Sequence, residues 1–135
     1  MDSQHNNQST VCLCRSDLLF DDCCGRFLKH GKIAPTAELL MRSRYTAYAL
    51  KREDYLLATW HSSTRPLTLD LKQQFHQWLG LIIKHHEQSS PDQAAVEFVA
   101  RYKINGRAYR LHEISRFARE NGMWFYVDGD ILHHG

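Results

Sequence analysis

The chain has no run of five or more cationic residues and no apolar stretch near the roughly 20 residues of a transmembrane helix. It also lacks a basic segment followed by an apolar one. These absences argue against a polybasic nucleic-acid patch, an inserted span and a secretory signal, and they make a cytoplasmic location the expectation. The formal net charge of only +2 points the same way on nucleic acid, although nine His would add positive charge in acid. Catalytic signatures are missing too. There is no Gly-x-Ser-x-Gly, Gly-x-Gly-x-x-Gly or phosphate-loop pattern, and the Cys-x-x-Cys of redox proteins does not occur. No enzymatic reaction is expected on motif grounds.

What is present is an ordinary globular composition: 135 residues, 43% hydrophobic and 24% charged, enough for one domain plus a small appended module. Residues 1–10 are polar and read as a disordered tail. All four cysteines follow at once, as Cys12-x-Cys14, eight residues, then Cys23-Cys24-Gly25. Tetrahedral zinc needs four soft donors, and this spacing lets two tight pairs meet if the excursion folds back. Disulfides lack a secretory context, and vicinal cysteines bridge poorly. Redox or sensing thiols are the third alternative. With four thiolates no coordination position is left for water, so the expected Zn2+ is structural rather than catalytic.

Beyond Gly31 and Pro35, Thr36 is a candidate N-cap for a helix over Ala37 to about Leu50. A second helix is predicted over Arg52 to His61, and a third from near Asp70 toward Leu79. The period then changes to that of strands: Leu79–His86, Ala95–Tyr102, Ala108–Ala118 and Met123–Val127. Asn105-Gly106 and Asn121-Gly122 are hairpin signals between the later strands. Helices first and an antiparallel meander second make an α+β order.

On a helical wheel, Ala37, Leu40, Met41, Arg44 and Tyr48 share one stripe, with Arg44 in the middle of the apolar face and Arg42 roughly opposite. A buried guanidinium keeps its proton and needs a partner. In Ala108–Ala118, Glu113 interrupts the apolar face formed by Tyr109, Leu111, Ser115 and Phe117, so an internal Arg44–Glu113 pair is predicted. Its role is either architectural or that of a polar pair in a ligand cavity. Trp60, His61 and the shared face of Trp124, Tyr126 and Asp128 complete the candidates, with core packing as the plainer reading of the aromatics. The histidine pairs 85–86 and 133–134 are weak signals.

Two resemblances are carried by these residues. Cys12-Leu-Cys14-Arg-Ser16, Phe20 and Cys23-Cys24-Gly25 resemble the SEC-C motif at the C-terminus of the SecA translocation ATPase, which binds zinc and contacts a chaperone and ribosomes. Arg15, Asp17, Asp21 and Asp22 depart from that motif's charge, so its partners do not transfer directly. Leu40 to Tyr45, Asp54-Tyr55-Leu56, Thr59-Trp60-His61, Thr64-Arg65-Pro66, His112-Glu113, Ser115-Arg116-Phe117 and Trp124 to Gly129 resemble the YchJ family of bacterial proteins.

That resemblance implies a SEC-C-like zinc module (11–30) ahead of a nuclear transport factor 2-like α+β domain (34–132). In that fold, helices pack on a curved antiparallel sheet around a conical, cystatin-like cavity. It brings no established reaction. The expectation is a zinc-binding adaptor that docks a protein partner through its module. The alternative is small-molecule binding or enzymatic activity in the cavity, with Arg44, Tyr48, Trp60, His61, Glu113, Trp124 and Asp128 as candidates.

Overall fold

Asn105-Gly106 and Asn121-Gly122 adopt positive φ at both positions, 52° and 80° in the first pair and 53° and 78° in the second. That is the conformation of a two-residue type I′ turn, whose twist matches that of paired strands. The two turns join β2 (Gln93–Ile104) to β3 (Arg107–Glu120) and β3 to β4 (Met123–Ile131), while Pro91 and Asp92 link β1 (Gln77–Ser90) to β2. The sheet is an antiparallel meander in the order β1-β2-β3-β4. The computed structural model describes residues 10–132, so the expected tail, apart from Thr10, and the histidines at 133–134 lie outside the described residues.

Among the described residues three α-helices precede the sheet: α1 (Gly25–Leu28), α2 (Ala37–Ala49) and α3 (Glu53–Ala58). The Thr36 hydroxyl caps α2 by accepting from the Leu39 amide at 3.1 Å. The predicted stripe packs on the sheet, where Leu40 and Met41 join Leu81, Phe98, Ala100 and Phe117 in the core. The helix is buried on a second side as well. Ser43, Thr46 and Ala47 are fully buried, and Thr46 faces the cysteines.

The second helix is shorter than predicted. Its end turns into a loop that docks on the edge of β4, with the His61 amide donating to the Tyr126 carbonyl and the Tyr126 amide to the Thr59 carbonyl. The predicted third helix is not formed. Asp70 has a left-handed φ of 53°, and a single 3-10 turn, Leu71–Gln73, follows before the chain extends. Lys51 holds that extension by donating from Nζ to the carbonyls of Leu71 and Gln74. His76 and Trp78 then stack on each other and pack against Tyr102. Tertiary aromatic contacts override helical propensity here.

Between Arg116 and Phe117 the β3–β4 register shifts: Phe117 pairs with Tyr126 but Arg116 with Asp128, leaving Val127 as an extra residue. An extra residue reverses which side chains face inward beyond it. Trp124 and Tyr126 face the helices, whereas Asp128 joins Arg116 on the outer face and Gly129 takes the inner position beside Ser115.

Candidate functional site

Two local bonds close the knuckle that carries the cysteines. The Cys12 amide donates to the Leu18 carbonyl at 2.8 Å and the Phe20 amide to that of Thr10 at 2.8 Å, folding the second cysteine pair back on the first. Gly25 is needed for close approach more than for a turn: a Cβ there would stand 2.6 Å from the Phe20 carbonyl oxygen. Cys12, Cys14, Cys23 and Cys24 are all buried and unbridged, and their sulfurs lie within 4.8 Å of one another. A tetrahedron with arms of about 2.3 Å has S···S edges of about 3.8 Å; Cys14 and Cys23 stand at 3.6 Å.

Neighbouring donors also suit a thiolate cluster. Ser16 Oγ donates to Cys23 Sγ at 3.1 Å, Thr46 Oγ1 to Cys24 Sγ at 3.3 Å, and Arg42 Nη1 to Cys14 Sγ at 3.7 Å and to the Cys14 carbonyl at 3.1 Å. Such groups orient metal ligands and offset their charge. Without a cation the four sulfurs cannot all ionise. Hydrogen bonds from Cys12 and Cys24 hold Cys14 far below the ordinary thiol range. Burial pushes Cys23 up to about 11, and Cys24 is raised because its S–H serves Cys12 and Cys14. The donor set and geometry fit a thiophilic divalent metal.

A cavity of about 460 Å³ lies between α2 and the inner face of the sheet. Met41, Phe98, Ala100 and Leu111 give it apolar walls. Arg44, Tyr48, Glu113, Ser115 and Tyr126 bring polar groups to it, and Gln74, His76 and Trp78 line its half-buried end. Arg44 is 2% exposed. Its Nη1 donates to the Leu56 carbonyl at 2.8 Å and to Thr59 Oγ1 at 2.7 Å, and its guanidinium lies 5.0 Å from the Trp60 ring centroid and 4.6 Å from that of Tyr126.

The predicted Arg44–Glu113 ion pair is therefore corrected. Both residues line the cavity, but Glu113 accepts from Ser115 Oγ at 2.7 Å while Arg44 is held by the end of α3 and two aromatic rings. Burial lowers the pKa of Arg44 and raises those of Tyr48 and Tyr126.

Of the other cavity candidates, Tyr48 lines it and Trp60 backs Arg44 from behind. Trp124 is buried core, 4% exposed. His61 lies elsewhere because its loop docks on β4: Nε2 sits 2.6 Å from Glu120 Oε2 and Nδ1 2.7 Å from Ser63 Oγ. Asp128 is carried outside by the Val127 bulge, where it accepts from Arg116 Nε at 2.6 Å. His86 reaches Glu38 at 3.1 Å and His85 is exposed, so neither joins a site. Sequence reasoning missed Thr46 and Arg42 beside the sulfurs, and Gln74, His76, Trp78 and Ser115 in the cavity. A missing partner for the polar side of α2 was the only available signal.

Comparison with known proteins gives a consistent assignment. Residues 36–129 match the family model described as the YchJ middle NTF2-like domain. A UPF0225 protein of Methylibium petroleiphilum is 54% identical over 83% of this chain and 82% of its own length. One of Bordetella bronchiseptica is 48% identical over 95% and 98%. The solution structure of a SEC-C motif containing protein from Rhodopseudomonas palustris superposes with a TM-score of 0.82 at 33% identity, covering 92% of this chain and all of that one. The crystal structure of a SEC-C motif containing protein from Psychrobacter arcticus gives 0.76 at 27% identity, covering 96% and 87%.

Proposed function

The chain belongs to the YchJ family, and from its own geometry we propose that it is a zinc-dependent interaction protein of the bacterial cytoplasm. A SEC-C-like module at 11–30 docks a protein partner, and an NTF2-like domain at 34–132 serves as its scaffold. The observation that carries the metal is the convergence of four buried cysteine sulfurs within 4.8 Å, with Ser16, Thr46 and Arg42 donating to them. Zinc, with its four-sulfur tetrahedral preference, is the ion that set suits best. A module this short has too few apolar side chains to hold itself together, so the metal supplies the missing stability.

Interaction is supported by what the module leaves in water. Val11, Leu13, Leu18 and Leu19 are 50%, 43%, 50% and 40% exposed. Four large aliphatic side chains on one short knuckle form an apolar surface of the kind partners cover.

Metal analysis of protein purified without added zinc tests the first half: about one zinc per chain is expected, and a content near zero overturns it. Capture from bacterial lysate tests the second, with wild type, chelator-treated wild type and a Leu13→Glu/Leu18→Glu variant that keeps its zinc. A partner held by wild type and lost in both other arms supports docking through the module; capture indifferent to both overturns it.

A further inference from the structure

The cavity between α2 and the sheet holds one cation and one carboxylate that do not satisfy each other. Arg44 spends Nη1 on Leu56 and Thr59, and its guanidinium is clasped by Trp60 and Tyr126 and also meets the Tyr48 hydroxyl. Glu113 is bonded to the Ser115 hydroxyl. Arg44 is buried and Glu113 half-buried in a shared, largely apolar chamber, where opposite charges normally close into a pair because a desolvated charge is costly alone. Here the framework holds them apart. Gly129 has no side chain, and a Cβ at that position would collide with the Glu113 carboxylate, so the inner face of β4 is cut away to seat it.

At the half-buried end the lining changes character. His76 stacks on Trp78, with ring centroids 5.5 Å apart and planes 12° apart, and its Nδ1 is buried with no hydrogen-bond partner among the described residues. The chamber thus has a donor and an acceptor in Arg44 and Glu113, apolar walls, and an aromatic rim. Its volume of about 460 Å³ lies in the range of small-molecule sites.

These features select a ligand chemistry. A simple anion would meet Arg44 but bring like charge to Glu113, and a simple cation would do the reverse; either leaves one of the chamber's two charges uncompensated. A neutral head with an acceptor and a donor carried on one carbon answers both groups at once. The flat apolar walls and aromatic rim suit a ring behind that head. We propose that the cavity is a binding site for a small neutral ring compound with a carboxamide, lactam or ureide head, its carbonyl toward Arg44 and its N–H toward Glu113. The site needs no metal and is separate from the cysteine module.

The test uses three probes with one ring and different heads: benzamide, benzoate and benzylammonium, titrated into the full chain and followed by calorimetry and by amide and indole NMR shifts. Benzamide is expected to bind with millimolar or better affinity and to shift Trp78 and Ser115, with the two charged probes at least about tenfold weaker. Glu113→Gln removes the carboxylate charge while keeping an acceptor, so benzoate is expected to gain about tenfold or more and overtake its wild-type deficit. Leu111→Trp fills the chamber and is expected to abolish benzamide binding in a folded protein. Failure of benzamide to bind wild type overturns the proposal, as does a charged probe binding as tightly as benzamide. An unchanged benzoate affinity in Glu113→Gln, or undiminished benzamide binding in folded Leu111→Trp, overturns it equally.

Discussion

The Thr46 hydroxyl donates to Cys24 Sγ across 3.3 Å, so the helix that roofs the sheet also closes the cysteine cluster. Thr46 is fully buried and its oxygen also lies 3.9 Å from Cys12 Sγ. Thr46→Val keeps the shape and removes the donor, leaving the thiolate charge less compensated. Zinc affinity is expected to fall by about 10–100-fold, the usual effect of deleting an outer partner of a metal ligand. Competition against a chromogenic zinc chelator reads it, and wild-type affinity in the variant would show that the contact is packing alone.

Metal loading should release protons. In the metal-free cluster the Cys23 thiol is pushed up to about 11, chiefly by burial, and Cys24 is raised through the bonds its S–H makes to Cys12 and Cys14. Both carry protons near neutrality, and a bound cation must displace them. At least two protons per metal are therefore expected at neutral pH, so apparent affinity drops about 100-fold for each unit of acidification and rises with pH until the thiols ionise unaided. Calorimetric titration in buffers of different ionisation enthalpy counts the protons. A count near zero would mean that the thiols are already ionised, contrary to their burial.

Much of this architecture is legible in the sequence where the signal is local. Thr36 before an apolar stripe marks α2, Asn-Gly twice marks the hairpins, and the cysteine spacing marks the cluster. What escapes is set by long-range partners. The wheel of α2 shows one apolar stripe, yet Ser43 and Thr46 are equally buried, because the cysteine module and Tyr55 supply hydrogen bonds that make burial of small polar groups tolerable. Asp128 is misplaced for a different reason: the Val127 bulge moves it to the outer face, and nothing in residues 123–131 announces an extra residue. The helix expected from Asp70 loses to an extended segment that delivers His76 and Trp78 to Tyr102.

Gly129 should accept a side chain only at a cost in stability while Glu113 is present. An added Cβ would meet the Glu113 carboxylate and approach the Ile114 carbonyl oxygen at 3.1 Å, and main chain cannot move aside as a side-chain tip can. Gly129→Ala is expected to cost about 1–3 kcal/mol in urea unfolding, the range for overpacking a filled site. In the Glu113→Ala background the same change should cost clearly less, since the nearest obstacle is gone. Equal costs in the two backgrounds would mean that the Ile114 carbonyl sets the limit.

Arg44 should be the most expensive single truncation in the domain. It is 2% exposed, ties α2 to the last turn of α3 through Leu56 and Thr59, and fills the space between Trp60 and Tyr126. Arg44→Met keeps apolar bulk but leaves the Leu56 carbonyl with only the longer bond from Thr59 Oγ1, at 3.4 Å, and leaves Glu113 without an opposite charge in the cavity. The expected loss is about 3–5 kcal/mol, a large share of the 5–15 typical of a whole domain. Arg44→Lys retains the charge but not the flat guanidinium that lies against both rings, so it should recover only part of the loss. Adding Glu113→Gln to Arg44→Met should restore about 1 kcal/mol, because the two charges act on each other through the cavity although they do not touch. Urea unfolding of wild type, Arg44→Met, Glu113→Gln and the double variant closes this double-mutant cycle. Strict additivity would show that the two charges are insulated from one another, and that Arg44 serves the joint between helix and loop alone.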